Sequence, residues 1–226
     1  MDIEARIKDC EDNLKQIKYF NPDPYYVNFF LKSYLKSVNR VYNGVFEEAN
    51  TDFGLFMNET CNKNNFEKKA LVKNDSLALK FCSWFEKFYK DEHETTYPDF
   101  INQILEFFGK NGVLPKITTK ILANQKYNND IIQQIQPDLI NGKLRSKESL
   151  EIEIKRNTPI FLKLINQKRK NNNEPKISEN DVIVSSFLEL QNYEQIEIPY
   201  ACEIYLHVLK RIVKESRKKI NCLLCN

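Results

Sequence analysis

The sequence predicts an α+β fold that is predominantly helical, an amphipathic helix bundle with a small sheet or hairpin in its second half. Three observations carry this. Ile3, Ile7, Cys10, Leu14 and Ile17 recur at spacings of 4, 3, 4 and 3, one stripe of a helix whose other sides are Glu, Lys and Asp. Tyr26, Phe30, Tyr34, Val38, Val41, Val45 and Phe46 repeat the same periodicity over a longer stretch. After Val113 the pattern changes to the β-branched run VLPKITTKILA, and SLEIEIKR alternates Leu150, Ile152 and Ile154 with charges.

Taken in order, helix one ends before NPDP, where Asp23 can cap the next helix and Pro24 suits its first turn, because the missing N–H of proline is an unpaired donor there anyway. Helix two is expected from about Pro24 to about Ala49 as the spine of the fold. Residues 50–75 read as a connection with a short helical turn around Phe66. Leu77, Phe81, Trp84, Phe85 and Phe88 restore helical spacing behind Asp75 or Ser76 as the cap. Pro98 opens a helix with Ile101, Ile104, Leu105 and Phe108 inward, and Gly109 is placed at its end. SLEIEIKR reads as a strand, QKRKNNNEPK as a solvated loop, and ISENDVIVSSFLEL as a strand, with a capped helix on Ser178 and Asp181 as the alternative. Pro199 opens a closing helix with Cys202, Tyr205, Leu209 and Ile212 inward. One domain over 1–226 is expected, with a helical part over about 1–110, a mixed part over about 111–198 and the closing helix over about 199–220.

Composition excludes several functions. The 34 Lys+Arg against 31 Asp+Glu leave a formal charge of +3, so any basic surface must be local. The amino terminus is charged every few positions where a secretory signal needs an apolar core, and no stretch approaches the ~18 apolar residues of a membrane span. A cytoplasmic protein without membrane contact is expected. The six cysteines read as free thiols in a chain long enough to need no covalent staples. With five glycines there is no GxGxxG, no GxxxxGK[ST] and no GxSxG, so dinucleotide, P-loop and α/β-hydrolase chemistry are unsupported, and no cofactor is expected.

The residues that could carry chemistry each have a plain structural reading as well. His93 lies in DEHE, where carboxylates could tune it, and is the candidate catalytic residue; the alternative is a solvated helix end. His207 reads as a surface histidine on the closing helix. Cys222 and Cys225 have the spacing of half a zinc knuckle, but no second CxxC supplies the other two ligands, so no metal site is assigned. Gly109, Lys110, Asn111 and Gly112 spell the GxxG of a KH loop, yet Pro115 behind them predicts extended chain and not the helix that such a loop feeds. Lys210, Arg211, Lys214 and Arg217 make the closing helix basic and are the candidate contacts to phosphate or a partner, or else cations that complement the dipole at a helix C-terminus. Lys168, Arg169 and Lys170 form a second basic cluster in the polar loop.

Three segments, YYVNFFLKSYLKSVNRVYNGVFEEA, LALKFCSWFEKFYKDEHE and PYACEIYLHVLKRIVKESRKKI, together resemble the HEPN superfamily. That resemblance implies a helical bundle, and either RNA cleavage in toxin and defence systems or non-catalytic binding of nucleotides or partners. Active members carry an Arg, four to six intervening residues and a His. Here the positions that would hold the Arg are Glu86, Lys87 and Phe88 ahead of His93, and Tyr200, Ala201 and Cys202 ahead of His207. The pair is absent. The expectation is therefore a non-catalytic interaction domain resembling HEPN proteins, homodimeric through the long aromatic helix, binding a protein partner or RNA. Two alternatives stand beside it: a metal-independent ribonuclease using His93 with Lys90 and Glu94, and a purely structural scaffold.

Overall fold

Local signals set most of the helices of the computed structural model, which describes residues 2–57, 61–123, 131–135, 139–140, 143–144, 147–188, 190 and 196–225. Helix α1 (Ile3–Phe20) is capped by the Asp2 carboxylate, which accepts from the Glu4 amide. The Asp23 carboxylate accepts from the Tyr25 and Tyr26 amides and starts α2 (Pro24–Asp52) with Pro24 in its first turn, as the NPDP sequence predicts. The two helices form a hairpin that packs tightly at Gly44. A Cβ there would lie 3.0 Å from the Arg6 guanidinium and 3.1 Å from the Ile3 side chain.

The region from 50 to 75 contains more helix than its composition suggests. Asn62 caps an 11-residue helix α3 (Lys63–Lys73), closed by Asn74 in the left-handed conformation, in place of the short turn expected around Phe66. Two buried residues, Phe66 and Ala70, at i and i+4, anchor it, while Leu71 and Val72 are exposed, so its apolar residues trace no single stripe for a periodicity reading. Asp75 caps α4 (Ser76–Glu92). Helix α5 (Thr96–Asn111) keeps Pro98 in its first turn and runs past Gly109; it ends at Gly112, whose φ of 69° supplies the left-handed turn.

Strands β1 (Ile117–Ala123), β2 (Ile131–Ile135) and β5 (Val182–Leu188) form an antiparallel sheet in the order β2-β1-β5, and β3 (Leu139–Ile140) pairs with β4 (Lys143–Leu144). The fold is predominantly helical α+β. Ser178 and Asp181 form a capping box on a 3-10 turn that leads straight into β5, so both readings of that segment contain part of the outcome. SLEIEIKR is not a strand. It opens α6 (Lys147–Asn171), because Leu150 and Ile154 lie four apart on the face that Phe161, Leu162 and Ile165 continue, while Ile152 points to solvent. Three alternating residues satisfy both periods; the rest of α6, residues 155–171, decides for the helix. Lys168, Arg169 and Lys170 thus lie in the last turn of α6 and not in a loop. Arg169 donates to the Pro175 carbonyl and pairs with Glu174, folding the chain back along the helix.

The closing helix α7 (Ile198–Leu224) contacts α1, α2, α4 and α5 and carries eleven buried residues. The main core lies between these helices. A second, smaller core lies between α6 and the sheet, formed by Ile121, Ala123, Leu150, Leu162 and Ile177. β1 and β5 join the two, with Ile117 and Leu188 in the first core and Ile121 and Val184 facing the second. Among the described residues no helix is long and apolar enough to cross a membrane.

Candidate functional site

His93 caps the end of α4 and is not solvated. It is 7% exposed, packed against Tyr89 one turn back and against Tyr42 and Tyr205 from helices distant in sequence. Nδ1 lies 2.7 Å from the Tyr89 carbonyl, which can only accept, so Nδ1 carries the proton. With the ring neutral, Nε2 accepts from the Tyr205 hydroxyl at 3.0 Å, and Tyr205 accepts in turn from Tyr42 at 2.8 Å. The Tyr89 ring stacks on the imidazole with centroids 3.9 Å apart, and its hydroxyl donates to Asn102 at 2.8 Å. The network ties α2, α4, α5 and α7 together at the centre of the body.

Its electrostatics suit packing better than proton transfer. Burial holds His93 below its ordinary value, opposed by the hydrogen bond to the Tyr89 carbonyl and by the Asp99 charge. Burial also raises the Tyr42 and Tyr205 phenols well above the usual value, so neither ionises near neutrality. Among the described residues the side chains of Lys90 and Glu94, the partners expected for a ribonuclease, make no hydrogen bond or ion pair, and both are exposed. His207 is exposed on α7. Burial pushes the Cys10 and Cys82 thiols up to about 12 and Cys61 to about 11, so these are inert packing groups. Cys222 and Cys225 are exposed at the end of α7.

Three of the four cations chosen on α7 are already engaged within the chain. Lys210 pairs with Glu11 at 2.6 Å, Arg211 with Glu92 at 3.1 Å, and Arg217 reaches Glu48 through two nitrogens at 2.8 and 2.7 Å and also binds Glu4. They fasten α7 to α1, α2 and α4. Lys214 has no partner among the described residues.

The surface feature that sequence reasoning missed is aromatic. At the turn between α1 and α2, Tyr19 is 65% exposed, Tyr25 47%, Tyr26 37% and Phe29 59%. Phe20 stacks on Tyr26 and Phe30 with centroids 4.5 and 5.4 Å apart, while Tyr19, Tyr25 and Phe29 meet their neighbours edge-on. The turn beneath is anchored to the sheet: the Ser186 amide donates to the Asn21 side chain at 2.9 Å and Thr119 donates to the Pro22 carbonyl at 2.6 Å. The signal lay in YFNPDPYYVNFF, where aromatics outnumber the positions that a single buried stripe can take.

The chain matches no protein-family model, no curated protein and no solved structure. Its function must therefore be read from these groups. Among the described residues no cluster of three or more His, Cys, Asp or Glu could hold a metal ion.

Proposed function

We propose that this protein is a non-catalytic interaction domain that pairs with a second copy of itself through the aromatic cluster at the α1–α2 turn. The observation that carries the reading is the exposure of four large rings on a turn held rigid from below. Rings pre-arranged by stacking and hydrogen bonds lose little entropy on binding, and exposed Tyr and Phe are typical interface anchors. About half of four aromatic side chains, at ~200 Å² each, is on the order of 400 Å². That is about half of the ~800 Å² per partner of a standard interface, the share that an apolar centre takes inside a polar rim. A two-fold contact sets a patch against its own copy, so a charged patch would repel itself. This cluster carries no charge, and the flanking Lys18 is paired with Glu203 at 2.7 Å. The reading agrees with the resemblance to HEPN domains that lack the catalytic pair, and with a His93 enclosed by tyrosines.

Light scattering across a concentration series tests it. A dimer is expected, and the double variant Tyr25→Glu and Phe29→Glu, both at exposed positions, should run as a monomer with an unchanged melting temperature. A monomer at every concentration would overturn the pairing. RNA is the competing partner, so a salt titration of RNA binding with and without EDTA, followed by a cleavage gel, belongs with it. Intact RNA is expected, and EDTA-resistant cleavage lost in His93→Ala would replace this reading with the ribonuclease.

A further inference from the structure

We propose that the groove between α2, α3 and α4 is a binding site for a small aromatic monocarboxylate. The groove uses none of the aromatic residues at the α1–α2 turn, so it stands independently of the pairing proposed above. Its volume is about 530 Å³, within the range of small-molecule sites.

Tyr42, Phe46, Phe85 and Tyr89 line it. Phe85 lies 4.9 Å from Phe46 and 6.0 Å from Tyr89, and Tyr42 lies 5.4 Å from Tyr89, so the partly exposed rings of Tyr42 and Tyr89 form an aromatic wall backed by the buried Phe46 and Phe85. Both tyrosine hydroxyls are committed elsewhere, Tyr42 to Tyr205 and Tyr89 to Asn102. These two residues therefore offer ring surface and no free hydroxyl.

The charge is set at the rim. Lys63 and Glu86 face each other across the groove at 2.9 Å and neutralise one another. Lys90, one helical turn beyond Glu86, also lines the groove and has no partner among the described residues. Asn43 lines it too, and its side-chain amide makes no hydrogen bond among the described residues. The rim thus holds one cation without a counter-charge, and Asn43 and Asn64 bring side-chain amides that can donate into the same groove. A single carboxylate completes cation and amide together, with its ring on the aromatic lining.

The test is a titration of the whole ¹⁵N-labelled chain with benzoate and indole-3-acetate, each beside its neutral amide. Saturable shifts are expected at residues 42–46, 62–64 and 85–90, with the acids bound about tenfold more tightly than the amides. Lys90→Glu, at an exposed position, should remove that preference and leave the oligomeric state unchanged, with only a small fall in melting temperature from the charge reversal in the last turn of α4. Absence of saturation by ~10 mM for both acids, shifts centred elsewhere, or a preference that survives Lys90→Glu would each overturn the proposal.

Discussion

The helical body and the layer that α6 makes with the sheet bury different kinds of core. The body encloses Tyr34, Phe66, Phe81, Phe100 and Tyr205 with no measurable exposure, and a hydrogen-bonded network crosses it. The α6 layer closes over a smaller, aliphatic set, and α6 leaves Ile152 65%, Ile160 55% and Leu164 51% exposed. Burial per residue decides how much of the global stability a region holds, so the α6 layer should open locally while the body stays shut.

The largest effect should come from the body. Phe81→Ala removes a ring packed among Phe46, Phe66 and Phe85 and should cost about 3–5 kcal/mol, read as a loss of the whole unfolding transition in urea. Leu162→Ala should cost about 2–4 kcal/mol, with hydrogen exchange accelerating in α6 and β5 but not in α2 or α7. Uniform acceleration would merge the two regions into one cooperative unit and break the comparison.

Tyr205→Phe sharpens it within the body. It removes the hydroxyl between Tyr42 and His93, leaves only the long 3.5 Å contact of the Tyr42 hydroxyl with Nε2, and should cost about 1 kcal/mol. The same network makes stability depend on pH. Burial lowers His93 from 6.5, so the unfolded chain binds this proton more readily than the folded one. The stability contributed by the neutral imidazole is complete above the unfolded value and is lost as pH falls below it toward the folded value. As pH falls below about 6.5 the wild type should lose up to ~1.4 kcal/mol per pH unit until the folded imidazole is itself protonated, a slope that His93→Gln should flatten. An unchanged slope would show that His93 is not the group responsible.

The smallest effect belongs to the α7 cations. Arg217→Lys loses the two-nitrogen contact to Glu48 but stays at a partly exposed position, so about 0.5–1 kcal/mol is expected, shrinking with added salt.

Legibility followed the range of the deciding interaction. The start of α2 was readable because Asp23 and Pro24 act on amides two and three residues away. Gly112 could not be told from Gly109, since both stand at the end of one helical pattern and only the backbone that turns left-handed separates them. The α7 cations were readable as a basic face, but not that Glu4, Glu11, Glu48 and Glu92 neutralise most of it, because those partners lie on α1, α2 and α4.

By itself the sequence determined the amphipathic helices of the body, the β1 segment and the predominantly helical α+β class, because side-chain period and capping chemistry act within a few residues. Only the tertiary structure decided which residues of α6 are buried, since its face is defined by packing on the sheet and Ile152 is left outside it. It also decided the surroundings of His93, whose partner Tyr205 is 112 residues away, and the exposure of the aromatic turn. An aromatic side chain is a core residue or a contact surface according to what the rest of the chain sets against it.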